Sequence, residues 1–338
     1  MNSFNSFNIQ AYSKIGQTGS FVKALEGIAS QDNELMVITA DLAYKTGLIP
    51  FQEKFPQKFL NVGIAEQNLI SIAAGMAKEG KNVFATTYSN FLVMRAYEQI
   101  RILLGFMTQN VKIVGSRSGL ALGMAGNTHY GIEDIALMRA IPGIMVVSPA
   151  DGVETVKVIY EAAKYHGPIY IRLTGRQNNP IVYSEDYSFK FGKAILLKEG
   201  KDISIIASGT MVHESLIAAE ILQRERGISA AVINMHTIKP LDTSIIREIC
   251  IHSKLIVSVE EHSVIGGLGS AVAECISNLE NTPRHIIIGI QDTFQKVGDY
   301  QYLIEQNGLT AKQIAQRIII LFDSTVHTTR RNSVSSQK

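Results

Sequence analysis

The chain has 338 residues, 46% of them hydrophobic and 18% charged, with 32 Lys and Arg against 30 Asp and Glu. That length suits about two domains, and a near-neutral balance without a basic, aromatic-interleaved stripe argues against a nucleic-acid partner. No apolar run approaches the roughly 18 residues that cross a bilayer, and the opening MNSFNSFNIQAYSK lacks the charged and apolar regions of a signal peptide.

No membrane association is therefore expected, and the expected location is cytoplasmic. Cys250 and Cys275 stand far apart in sequence without metal-ligand spacing, and read as buried thiols in a reducing compartment. Residues 1–14 are polar and lack periodicity, which predicts a flexible N-terminus. Short β-branched runs then alternate with helix-length amphipathic segments. LMVITA (35–40), NVFATT (82–87), VKIVGS (111–116), IMVVSP (144–149) and PIYIRL (168–173) read as buried parallel strands. This alternation predicts a parallel α/β domain over residues 15–180. A polar break, GRQNNPIVYSEDYSFKFG (175–192), follows. The pattern restarts with DISIIASG, ISAAVINM, KLIVSVEE and RHIIIGI, predicting a second, smaller α/β domain over 190–322 and a flexible tail over 323–338.

Between the first two runs, NVGIAEQNLISIAAGMAKEG (61–80) reads as an apolar helix with Glu66 at its mouth. A carboxylate there meets the positive helix end, or addresses a ligand. SGLALGMAGNTHYGIED (118–134) is a long glycine-bearing loop after a strand, the place where α/β proteins hold ligands. GGLGSAV (266–272) follows KLIVSVEE; lacking the full dinucleotide fingerprint, it reads as a tight strand-to-helix turn rather than a phosphate cradle. No P-loop, nucleophile elbow or HExxH helix is present.

FLNVGIAEQNLISIAAGMA, TTYSNFLVMRAYEQIR, GNTHYGIEDIALMRAIPGIMVVSPAD and GPIYIRLTGRQN resemble, in this order, the pyrimidine-binding domain of transketolase and 1-deoxyxylulose-5-phosphate synthase. GKAILLKEGKDISIIASGT, VINMHTIKPLD and VSVEEHSVIGGLGSAVAE resemble their C-terminal domain. The GDG…N metal motif of the diphosphate-binding domain is missing, so the chain resembles the C-terminal subunit of a split transketolase. The resemblance implies thiamine diphosphate as cofactor, Mg²⁺ held by a separate N-terminal diphosphate-binding subunit, an α₂β₂ assembly, and transfer of a two-carbon ketol unit from a ketose to an aldose. Two alternatives stand beside it: the β subunit of a 2-oxo acid dehydrogenase or acetoin-type complex, and a non-catalytic partner subunit.

The same resemblance assigns residues. Glu66 would hydrogen-bond N1′ of the thiamine pyrimidine, since a carboxyl in dry, apolar surroundings holds a proton to share. Tyr88 and Phe91, expected on one helix face, would lie against that ring. Read without the resemblance, they are two core aromatics. His129 would face cofactor and substrate carbonyl. Arg176 in GRQN would bind a substrate phosphate, with Arg117 beside the substrate channel and Asp41 and Thr46 at its entrance. Arg95 and Glu98 would pair with each other or meet the partner chain. Met124 and Ala125 stand where common transketolases carry an Asp that reads a sugar hydroxyl, which points to a deoxy or otherwise modified sugar. Glu260, Glu261 and His262 read as interface or surface groups.

Overall fold

A computed structural model describes residues 6–174 and 177–335, with side-chain surroundings from residue 8 to residue 323. The first domain runs through α1 (Ser6–Ala29), β1 (Leu35–Thr39), α2 (Ile49–Lys54), β2 (Phe59–Asn61), α3 (Glu66–Lys78) and β3 (Asn82–Tyr88). Two π-wound stretches, Phe91–Arg95 and Ile100–Phe106, flank the short α4 (Tyr97–Gln99). β4 (Val111–Ser116), α5 (Asp134–Ala140), β5 (Met145–Val147), α6 (Gly152–Lys164) and β6 (Ile169–Arg172) follow. The second domain contains β7 (Ile195–Lys198), β8 (Ile203–Ala207), α7 (Met211–Arg226), β9 (Ala230–Asn234), β10 (Thr237–Lys239) and α8 (Thr243–His252). It ends with β11 (Leu255–Ser263), α9 (Leu268–Ile276), β12 (Arg284–Ile290), α10 (Tyr300–Gln306) and α11 (Ala311–Ser335).

Every strand read from the sequence is present. The first sheet is ordered β10-β5-β6-β4-β3-β1-β2 and the second β12-β11-β8-β9-β7. Both are parallel except at one edge each, where β10 pairs antiparallel with β5 and β7 with β9. Strands buried on both faces read as continuous apolar runs because successive side chains enter opposite cores. Val37, Phe84 and Val114 join the core under α1 and α6, while their neighbours Ile38, Ala85 and Ile113 join the core under α3.

β10 belongs by sequence to the second domain and by hydrogen bonding to the first sheet. Its lead-in adds a further bond, from Ser148 N–H to His236 C=O (2.8 Å). The polar break is a loop, but it is pinned. Tyr183 and Tyr187 stack at 3.8 Å between ring centroids, and their hydroxyls donate to the buried Glu154 of α6, which also accepts from Asn234 of β9. Burial pushes the Glu154 carboxyl above the usual carboxylate range.

The expectation of a flexible N-terminus is corrected for its described residues. Residues 6–14 lie in α1, where Ile9 and Tyr12 are buried against the core. The two buried side chains of that stretch do not make a periodic stripe, and Gly16, at φ 69° and ψ −175°, kinks the helix just after them. The backbone of α11 is helical to Ser335, although DSTVHTTRRNSVSSQK carries no apolar stripe. Among the described residues no helix is long and apolar enough to cross a membrane. Cys250 and Cys275 are free and half-buried, packed on the same small core of the second domain.

Candidate active site

The carboxyl ends of β1, β3 and β4, the mouth of α3 and the loop after β4 converge on one edge of the first sheet, the side on which open α/β sheets bind ligands. Glu66 opens α3 without capping it. Its side chain is only 7% exposed, and its Oε1 accepts from Arg95 Nη1 at 2.8 Å. The Arg95 guanidinium lies 3.7 Å above the Phe91 ring, a stacked cation–π contact. Phe91 stands 5.7 Å from Tyr88 and 5.1 Å from His129 between ring centroids, the imidazole edge-on. Glu66, Arg95, Phe91, Tyr88 and His129 thus form one contiguous wall of carboxylate, guanidinium and three rings. Burial raises the Tyr88 hydroxyl above its ordinary value, and the Arg117 cation pulls it back.

Local structure explains these placements. Tyr88 is the last residue of β3 and Phe91 begins the π-wound turn, so the two do not share a helix face as expected. Their rings meet because the chain turns sharply from strand to helix. The π winding, an uncommon feature that concentrates at functional sites, carries Arg95 back over Phe91. Buried Asn90 donates to Thr128 C=O (2.8 Å) and so ties this turn to the residue before His129. Thr128 Oγ1 and His129 Nδ1 are 2.8 Å apart.

Other assigned residues fall differently. Arg117 is in the left-handed region (φ 51°) and holds Lys45 C=O with Nε and Nη2, each at 3.3 Å. Asp41, also left-handed (φ 56°), is exposed beside Asn61, whose Oδ1 accepts its N–H at 2.9 Å. Thr46 does not line an entrance: it is fully buried, its hydroxyl donating to Leu42 C=O within its own turn. Arg176 lies outside the described residues. Ala125 is exposed, in a 3₁₀ turn of the His129 loop. Arg95 pairs with Glu66, while Glu98 pairs with Arg101. The sequence signal for Arg95 was its position four residues after Phe91, one turn along a helix.

Glu260, Glu261 and His262 are not surface groups; all three are at most 2% exposed. Glu260 accepts the N–H groups of Leu268 (2.7 Å) and Gly269 (2.8 Å), so its carboxyl fills the α9 N-terminus that a phosphate would need. GGLGSAV is thus the tight turn. Burial pushes the Glu260 carboxyl up to about 7. Among the described residues no group of three His, Cys, Asp or Glu converges to hold a metal.

Residues 14–180 match the transketolase pyrimidine-binding domain, and residues 192–314 match the transketolase C-terminal domain. The chain belongs to the transketolase family. It is 42% identical over 306 residues to a transketolase C-terminal section of Methanocaldococcus jannaschii, spanning 90% of this chain and 95% of that one. It is 39% identical over 298 residues to the 6-deoxy-6-sulfo-D-fructose transketolase subunit of Clostridium sp., with 88% and 91% covered. A solved split-gene transketolase, described as an inactive beta4 tetramer, superposes with a TM-score of 0.82 at 39% identity, over 91% of this chain and 98% of that one. The chain thus spans nearly the whole of relatives that are sections or subunits of split transketolases, enzymes of ketol transfer, and its family implies dependence on thiamine diphosphate. The likeness favours that reading over a 2-oxo acid dehydrogenase subunit or a non-catalytic partner.

Proposed function

We propose that this transketolase subunit holds the aminopyrimidine end of thiamine diphosphate, and that a separate N-terminal subunit holds the diphosphate and Mg²⁺ in an α₂β₂ assembly. The observation that carries this reading is the buried Glu66 carboxylate joined through Arg95 to the Phe91–Tyr88–His129 ring wall. The donor set fits a flat, basic heterocycle: a buried carboxylate for a ring nitrogen and an aromatic face for the ring. The planar Arg95 cation now covers that face, and it would give way to the pyrimidine. Glu66 then holds the proton at N1′, Phe91 and Tyr88 orient the ring and exclude water, and His129 faces the substrate carbonyl and steadies charge growing on its oxygen. The bound cofactor supplies the nucleophilic carbon that carries the ketol unit.

The substrates in this reading are a ketose donor and an aldose acceptor, with Arg117 and Asp41 toward the substrate channel and Arg176 as the group that takes a substrate phosphate. Exposed Ala125, in place of a hydroxyl-reading carboxylate, favours a deoxy or otherwise modified sugar. The sulfo-deoxy sugar in the name of the Clostridium relative is of that kind. The test is reconstitution. Both chains with thiamine diphosphate and Mg²⁺ should move two carbons from ketose to aldose, and neither chain alone should. Release of CO₂ from 2-oxo acids without ketol transfer would overturn the proposal.

A further inference from the structure

The loop that carries His129 is tied to the first domain through Asn90 and Thr128, and at several further points to the second domain. Its neck closes on itself through reciprocal bonds between Gly119 and Gly131 (2.8 and 3.1 Å). Beyond the neck its fixed points come from elsewhere. Glu261 Oε1, from β11, accepts the Leu120 N–H at 2.7 Å. The other oxygen of that carboxylate accepts from Thr210 and from Tyr300, each at 2.7 Å, so the group is held from three sides. Asn127 and Gln295 form a two-bond ring, side-chain amide to C=O and N–H to side-chain oxygen, both at 2.7 Å. The Tyr130 hydroxyl reaches Gly123 C=O within the loop and Lys296 C=O across the domain boundary.

Three glycines make this fit possible. Gly119, Gly123 and Gly126 have φ of 67°, 36° and 73°, a region L side chains rarely adopt. A Cβ on Gly119 would stand 2.2 Å from Glu261 Oε1, on Gly123 2.6 Å from Gly298 C=O, and on Gly126 3.0 Å from Val297. At each left-handed position in this loop the backbone thus lies directly against second-domain atoms.

We propose that the second domain acts in catalysis as the mould of the His129 loop, with Glu261 and the Asn127–Gln295 ring as positioning groups. The inference rests on the reading of His129 as the group facing the substrate carbonyl. The Glu261 side chain bonds this loop at Leu120, and a glutamine there would replace one accepting oxygen by a donor, so that both hydroxyls on it would have to reverse direction. Residues that act through one another are non-additive, and a mutant cycle exposes this.

The experiment is a cycle in the reconstituted two-chain enzyme, with Glu261→Gln and Asn127→Ala each made alone and with His129→Ala. Asn127 is exposed, so its variant keeps the fold even if the Glu261 variant does not. Each positioning variant alone should lower kcat about 10-fold or more, leave thiamine diphosphate affinity within about 2-fold, and speed amide exchange in residues 118–131. In the His129→Ala background each should cost less than about 2-fold further. Equal losses in both backgrounds, or unchanged kcat in the single variants, would overturn the inference while leaving the His129 reading intact. Unchanged kcat in His129→Ala itself would overturn both, and that single variant identifies the case.

Discussion

Glu66 occupies the first turn of α3, where the macrodipole favours an acid, yet the partner of its carboxylate is Arg95 rather than the helix end. A helix-start acid is worth at most about 1 kcal/mol, so stability and turnover separate its two roles. Glu66→Gln in the two-chain enzyme should lower kcat by about 100-fold or more, about 3 kcal/mol of barrier, with the denaturation midpoint of the isolated chain little moved. Turnover near wild type would leave Glu66 a helix-start acid. Ala125 makes a second test. A site built to pair a hydroxyl rejects an analogue without it by up to roughly 10⁴-fold, whereas an apolar one discriminates far less. Ala125→Asp should raise kcat/KM for an ordinary ketose phosphate relative to a deoxy or modified donor, measured side by side. A wild-type enzyme that already prefers the ordinary ketose phosphate would show that another residue reads that hydroxyl. Glu66, Tyr88, Phe91 and His129 could be singled out as candidates because each sits in a short motif of distinctive composition. The contacts Glu66–Arg95 and Leu120–Glu261 could not be, because a partner reached across the fold leaves no local pattern: Glu66 and Arg95 are 29 residues apart, and Leu120 and Glu261 are 141 apart.

At the scale of elements, the long interior strands were readable because burial on both faces leaves uninterrupted β-branched runs. β2, β7 and β10 were not: they are edge strands of three or four residues, and their half-exposed or brief sequences resemble loops. The connection between β9 and β10 carries a stability consequence. His236 is fully buried there, its Nδ1 2.8 Å from Thr237 Oγ1 and its ring 4.4 Å from that of Phe189. Burial pushes it down to about 4, below the roughly 6.5 of an unfolded histidine. The folded chain therefore resists the proton that the unfolded chain accepts. This stability is present above pH 6.5 and is lost as pH falls toward 4, on the order of 3 kcal/mol at the limit. His236→Leu should flatten the decline in urea midpoint between pH 7 and pH 5. A decline as steep as wild type would assign the acid sensitivity to other groups, such as the buried His262, also pushed down to about 4.

For the whole molecule, two domains and their order followed from the restart of strand signals after the polar break. How the domains are joined did not, because the joint is built from buried side chains of both: Arg172 on β6 pairs with Asp134 at 2.9 Å and also donates to the backbone C=O groups of Gly131 and Glu261. The division of labour between the two chains predicts a binding result. Under the proposed reading, in which this chain holds the aminopyrimidine and a partner the diphosphate, the isolated subunit should bind thiamine diphosphate at least about 100-fold more weakly than the complex does, a difference of about 2.7 kcal/mol. Calorimetric titration of each with the cofactor and Mg²⁺ checks this. Tight stoichiometric binding to the lone chain would end the two-chain assignment of the cofactor.

The seating of β10 against β5 also sets the order in which the chain can be completed during synthesis. β5 leaves the ribosome long before its edge partner exists, because the linker, β7, β8, α7 and β9 are all made in between. At about 5–20 residues per second, that interval lasts on the order of 5–20 seconds. Throughout it, the N–H and C=O groups on one side of β5 have no strand to pair with and offer themselves to any passing one. A β5 of only three residues keeps that exposure small. A chain released within the linker would carry the open edge permanently and should self-associate where the full chain does not. The first sheet is closed only by residues that the ribosome adds after the second domain is well under way.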